Sequence, residues 1–194
     1  MLSKMIGKYT IVEKGVKIGK NTRILTHCYI YNNVIIGKNC FIGHHTTIRP
    51  FSKIGDHTQI GSYNQLEGHL EIGNNVKFHS DVHICQGSKI GNRVFIAPRT
   101  TLLNTLHPLC PKAKECVKAP IIEDDVKIGA NCTISPDVTV GRGSLIGSAT
   151  NVIKDVPPYS VVIGNPGKVV KDVRDIKCPY GLVEKPYGDL GRDR

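Results

Sequence analysis

"KIGKNTRILTHCYIYNNVIIGKNCFIG", Lys17 to Gly43, decides the fold. Large apolar residues stand at Ile18, Ile24, Ile30, Ile36 and Ile42, six apart. Backward, the same step reaches Val12 and Ile6. Forward, it runs without a miss through Ile48, Ile54, Ile60, Leu66, Ile72, Phe78, Ile84, Ile90 and Ile96 to Leu102. With 40% of the chain apolar, chance would fill these seventeen slots roughly once in six million trials. After Leu102 the beat breaks, then resumes in a new phase at Ile122, Ile128, Ile134, Val140, Ile146 and Val152. A period this regular is an internal repeat, and it governs every local assignment.

A second slot lies two residues before the large one. Val16, Thr22, Cys28, Val34, Cys40, Thr46, Thr58, Val76, Val82, Val94, Val126, Cys132 and Val138 occupy it. Residues i and i−2 of a strand share a face. Each hexad therefore predicts one short strand with a large and a small side chain pointing into a narrow core. Gly19, Gly37, Gly55, Gly73 and Gly91 add a period of eighteen, with Asn21, Asn39, His57 and Asn75 two residues further on. Glycine and asparagine tolerate tight turns and positive φ. Eighteen residues then make one coil of three strands and three corners, stacked about 4.8 Å from the next. About seven to eight coils would form a column on the order of 35 Å tall.

The break reads "LLNTLHPLCPKAKECVKAP", Leu102 to Pro120. Twenty residues separate Leu102 from Ile122. If one hexad step is real, fourteen residues are inserted; if three are, two are inserted. Either way the prolines, the charges and the lack of an inward pattern predict an excursion from the prism over about 103–119. A rigid repeat with one long loop is a scaffold carrying a functional segment.

At 194 residues the chain is one domain of ordinary size. The repeat occupies 1–155, and 156–194 forms a cap and tail. No separate N-terminal domain is expected. No stretch reads as a signal peptide or membrane span, so cytoplasmic location is the expectation. Cys28, Cys40 and Cys132 fall in the small inward slot, where cysteine acts as compact filler. None of the seven cysteines forms a close zinc-type pair, and no metal is expected. The net charge of +10 is spread, with no tryptophan and no basic–aromatic cluster, which argues against nucleic acid as partner. It would favour the approach of polyanionic small molecules.

The hexad pattern resembles the hexapeptide-repeat acyltransferases, and the likeness runs over nearly all of Ile6 to Val170. It implies an all-β fold, a left-handed parallel β-helix with an excursion loop and a C-terminal extension. Handedness comes from the resemblance alone. "IAP" at Ile96 to Pro98, His107-Pro108, and "APIIEDDVKIGANCTISPDVTVGRGSLIG" are similar to the galactoside/maltose O-acetyltransferases and the sugar-nucleotide N-acetyltransferases. The resemblance implies acetyl-CoA as acyl donor and His107 as general base. An imidazole suits that role near neutrality. In some sugar-nucleotide members the departing sulfur takes the proton instead, and His107 would then position substrate. The implied acceptor side includes His79, Asp81, His83 and Asn104. Asp81 stands where sugar-nucleotide relatives tend to carry asparagine, so it could grip a substrate ammonium or orient a histidine.

His27, His45, Tyr63 and Asp81 are eighteen apart and should stack along one corner, as a cleft wall or as polar decoration. The cap "IKDVPPYSVVIGNPGKVVKDV" resembles the family's coenzyme-binding signature. It implies Lys168 and Lys171 at the 3′-phosphate of coenzyme A, with Ala130 and Ser148 along the pantetheine arm. A homotrimer, with sites between neighbours, is implied too. The two Pro-Tyr units of 175–194 suggest an extended segment docked on a surface. N-acetylation of a nucleotide-linked amino sugar is the leading reading and sugar O-acetylation the runner-up. γ-Class carbonic anhydrase and a non-catalytic scaffold are the alternatives from other classes.

Overall fold

The computed structural model describes residues 5–188 and residue 190. Met1 to Lys4, Asp189 and Gly191 to Arg194 lie outside it, so the ends of the expected repeat region and tail are not covered. Two-residue strands recur every six positions, from Met5–Ile6 to Thr101–Leu102 and again from Ile121–Ile122 to Asn151–Val152. They stack into three parallel faces with a corner between each pair. The first face includes Arg23–Ile24, Phe41–Ile42, Phe95–Ile96, Lys127–Ile128 and Leu145–Ile146. The second includes Tyr29–Ile30, His83–Ile84, Thr101–Leu102 and Thr133–Ile134. The third includes Lys17–Ile18, Lys89–Ile90 and Ile121–Ile122. Register steps by eighteen residues, as in Gln59↔Lys77 and Glu71↔Lys89. This is the left-handed parallel β-helix of hexapeptide repeats.

The core is the hexad made solid. Ile24 through Leu102, and again Ile122 through Val152, are buried at every large slot. The small slot is buried as well, and it does more than fill space. Thr22, Thr46 and Thr58 donate their hydroxyls to the carbonyls of Gly37, Gly61 and Gly73 in the next coil. Cys28, Cys40 and Cys132 do the same with their thiols, to Gly43, Gly55 and Gly147. Burial pushes all three thiols up, which keeps them protonated donors. At most rungs the slot thus takes a small side chain that is apolar or carries one donor, with Asn64 and Leu70 as larger occupants.

The glycine expectation needs correction. Gly19, Gly37, Gly55, Gly73 and Gly91 have ordinary backbone angles. The left-handed residue is two further on, at Asn21, Asn39, His57, Asn75 and Arg93. Glycine is required for close approach instead. A Cβ on Gly55 would lie 2.6 Å from the carbonyl carbon of Gly73, and one on Gly73 would lie 2.7 Å from that of Gly91.

Across the break, Lys89 pairs with Ile121 and Thr101 with Thr133, thirty-two residues apart. One hexad step is therefore real and fourteen residues are inserted. Leu103 still bonds its coil through Ile134. The neck closes where the Lys118 amide donates to the Asn104 carbonyl at 2.9 Å and the Lys118 ammonium meets Asp137 at 2.9 Å. At the top, Ser160–Ile163 joins the first face, and Lys168–Asp172 folds back against it antiparallel. No helix of the described residues is long and apolar enough to cross a membrane.

Candidate active site

The edge between the first and second faces is a continuous column of left-handed corner residues: Tyr9, His27, His45, Tyr63, Asp81, Arg99, Asn131 and Ala149. From His27 onward each amide bonds the coil below, as Asp81 does to the Ser62 carbonyl and Ala149 to that of Ala130. Four sequence-predicted residues, His79, Asp81, Ala130 and Ser148, therefore share one edge. The corner holding His79 and Asp81 is pinned from inside by Asn64, which is fully buried. Its amide donates to the carbonyls of Gly61 and His79 at 2.7 and 2.9 Å, and its oxygen accepts from the Val82 amide at 2.9 Å.

Beside this edge the first face carries a mostly apolar groove of about 480 Å³. Phe95, Lys127, Leu145, Gly129, Gly147, Ser148 and Tyr187 line it. His79 sets its ring edge against Phe95 at 5.5 Å, so Phe95 joins His79 to the groove of Ser148. Tyr187 arrives from the tail, with the Lys127 ammonium 5.2 Å from its ring. Its Pro-Tyr unit docks as expected; the other does not, leaving Tyr180 85% exposed.

Register brings in the cap lysines. Val161 pairs with Leu145, Lys171 with Val161 and Lys168 with Ile163, across a bulge after Val161. Directly opposed residues share a face, and Val161 and Ile163 have the same parity. Lys168 and Lys171 thus lie on the outer face that carries Leu145.

His107 and Asn104 lie elsewhere. Asn104 sits at the neck of the excursion, donating its amide to the Gln86 carbonyl at 3.1 Å. His107 is exposed further along, before the short 3₁₀ turn Ala113–Cys116. His83 stands on the second face between the two edges, 3.9 Å from Glu67. One chain assembles the groove edge and, separately, the histidine loop. Phe95, Lys127 and Leu145 escaped sequence reasoning, although all precede a large slot and so must point outward. Tyr187 gave no signal, because no period reports where a tail folds back.

Residues 15–50, 69–104 and 119–154, together more than half the chain, match the family described as bacterial transferase hexapeptide (six repeats). The chain belongs to that family. The unmatched residues between 104 and 119 are the fourteen inserted ones. Among relatives of this hexapeptide-family chain, galactoside O-acetyltransferase of Escherichia coli (strain K12) is 41% identical over 90 residues, 44% of each chain. The 2,3,4,5-tetrahydropyridine-2,6-dicarboxylate N-acetyltransferase of Staphylococcus aureus (strain JH9) is 37% identical over 87 residues, 45% of this chain and 34% of the other. The chain spans less than half the length of these curated relatives. The solved UDP-N-acetylglucosamine O-acyltransferase of Moraxella catarrhalis RH4 superimposes with a TM-score of 0.64 over 85% of this chain and 73% of that one. At 19% identity this is a likeness of fold alone.

Proposed function

We propose that the chain is an acetyl-CoA-dependent acetyltransferase that N-acetylates the amine of a nucleotide-linked amino sugar. The groove carries this reading. Its mostly apolar lining, with Gly129 and Gly147, suits a slender pantetheine arm. The exposed Ser148 borders it, half-buried Ala130 follows its Gly129, and two lysines on the same sheet face suit the 3′-phosphate. Here 1–155 is scaffold and 156–194 cap and tail.

His107 is the proton acceptor in this reading. As the amine attacks the thioester carbonyl, the imidazole takes its proton, a backbone N–H meets the oxyanion, and the coenzyme thiolate leaves. Because His107 lies apart from the groove of its own chain, the site is completed between subunits of a homotrimer. The exposed Leu106 and Leu109 beside His107 support that, since loop leucines gain by being covered. A cytoplasmic location fits the seven free cysteines. O-acetylation of a sugar is the second reading, favoured by the match to galactoside O-acetyltransferase.

Calorimetry with acetyl-CoA tests the donor. Binding should weaken when the 3′-phosphate is removed, and Lys168→Ala with Lys171→Ala should erase that difference. No binding to the intact chain would overturn the proposal.

A further inference from the structure

The edge column begins as a stack of rings. Tyr9 and His27 lie 5.0 Å apart, His27 and His45 4.8 Å, and His45 and Tyr63 5.0 Å with their planes 3° from parallel. The spacing is that of the coils, so the ring faces look along the column. The series of rings ends at Tyr63. The next rung is Asp81 and the one after it Arg99, whose Nε lies 3.7 Å from the Asp81 carboxylate. Tyr63 remains 59% exposed. With Ser80, Asp81, Pro98 and Arg99 it lines a recess of about 490 Å³. One side of its ring faces His45; on the other lies a space with a hydrogen-bond acceptor and a donor side by side.

We propose that this recess binds the nucleobase of the acceptor nucleotide, stacked on Tyr63 as the next ring of the series. An N–H on the base edge donates to Asp81, and the neighbouring carbonyl or ring nitrogen accepts from Arg99. This rests on the proposed nucleotide-linked acceptor and names its subsite. It also redefines Asp81. A substrate ammonium would have to compete with Arg99 for the carboxylate, whereas a neutral base edge uses both partners at once. A planar base could also come from the adenine of coenzyme A. The recess lies three rungs below Ala149, roughly 14 Å at about 4.8 Å per coil, and the cap lysines proposed for the 3′-phosphate beside the adenine lie a coil beyond that. That separation assigns it to the acceptor.

The test is calorimetry on the full chain with uridine diphosphate, thymidine diphosphate, 3′,5′-adenosine diphosphate and pyrophosphate. One of the two pyrimidine diphosphates should bind about tenfold or more tightly than pyrophosphate, and Tyr63→Ala should weaken it roughly 5- to 150-fold. Tyr63→Phe should retain the affinity, and pyrophosphate should not sense either change. The proposal is overturned if neither diphosphate exceeds pyrophosphate or if Tyr63→Ala leaves both unchanged. It is equally overturned if only the adenosine compound responds. Acetyl-CoA binding to the same preparation separates this outcome from the parent reading. A recess that fails beside intact acetyl-CoA binding removes only the subsite. A recess that responds without acetyl-CoA binding stands as a nucleotide site while the acetyltransferase reading falls.

Discussion

Leu102 is fully buried, whereas Leu106 and Leu109, a few positions later, are 60% and 100% exposed. The same residue type serves two regions under different rules. In the prism each leucine or isoleucine is held by coils above and below, and its position follows from counting. In the excursion the described residues leave it largely uncovered, and its position follows from the neck between Asn104 and Lys118. The difference separates stability from chemistry: prism residues should change how firmly the protein folds, and loop residues what it does.

The sharpest break of that division would come from His107→Ala. Turnover should fall about 10²- to 10⁴-fold with the thermal midpoint essentially unmoved. Unchanged acetyl transfer would end the proton-acceptor role. Ile84→Ala is the converse. It should cost about 2–5 kcal/mol in urea unfolding while the folded fraction keeps its acetyl-CoA affinity. Asn64 joins the two regimes, being a core residue that shapes the Asp81 corner. Asn64→Ala leaves the His79 carbonyl and the Val82 amide without that partner, while the Gly61 carbonyl keeps the Thr46 hydroxyl, and should cost roughly 1–3 kcal/mol. It should also weaken acceptor binding; a purely structural effect would leave acceptor affinity intact.

The smallest effect belongs to the cap. Hydrogen bonds from the Arg174 side chain and amide hold the Asp172 carboxyl down at about 2. A depressed carboxylate stabilises the fold above its unfolded value, near 3.9, and that contribution is lost as pH falls through the folded value. Unfolding curves of the parent and Asp172→Asn should therefore differ slightly at neutral pH and converge between about pH 4 and 2. Curves that stay parallel would show that the pair adds nothing.

The prism was legible because its physics is periodic. Inward positions recur every six residues, and a misplaced one would strand a large side chain in water. The corner ladder from His27 to Tyr63 was legible for the same reason. The role of Gly55 and its fellows was misread, since spacing cannot distinguish a residue that needs positive φ from one whose Cβ would strike the next coil. The length of the insertion stayed open until Lys89 was seen opposite Ile121. The groove was half legible. Ser148 and Ala130 came from resemblance, Phe95 and Lys127 could have come from the outward slot, and Tyr187 depends on a fold-back that leaves no pattern.

The pairing of Lys89 with Ile121 continues the ladder as if residues 105–118 were not there. An insertion that leaves and returns at one corner is silent downstream, as an added codon triplet is silent to a reading frame. A single residue added inside a coil would turn every later side chain to the wrong face. Heritable change in such a molecule is channelled to its corners, where one loop can be exchanged for another without renegotiating the core.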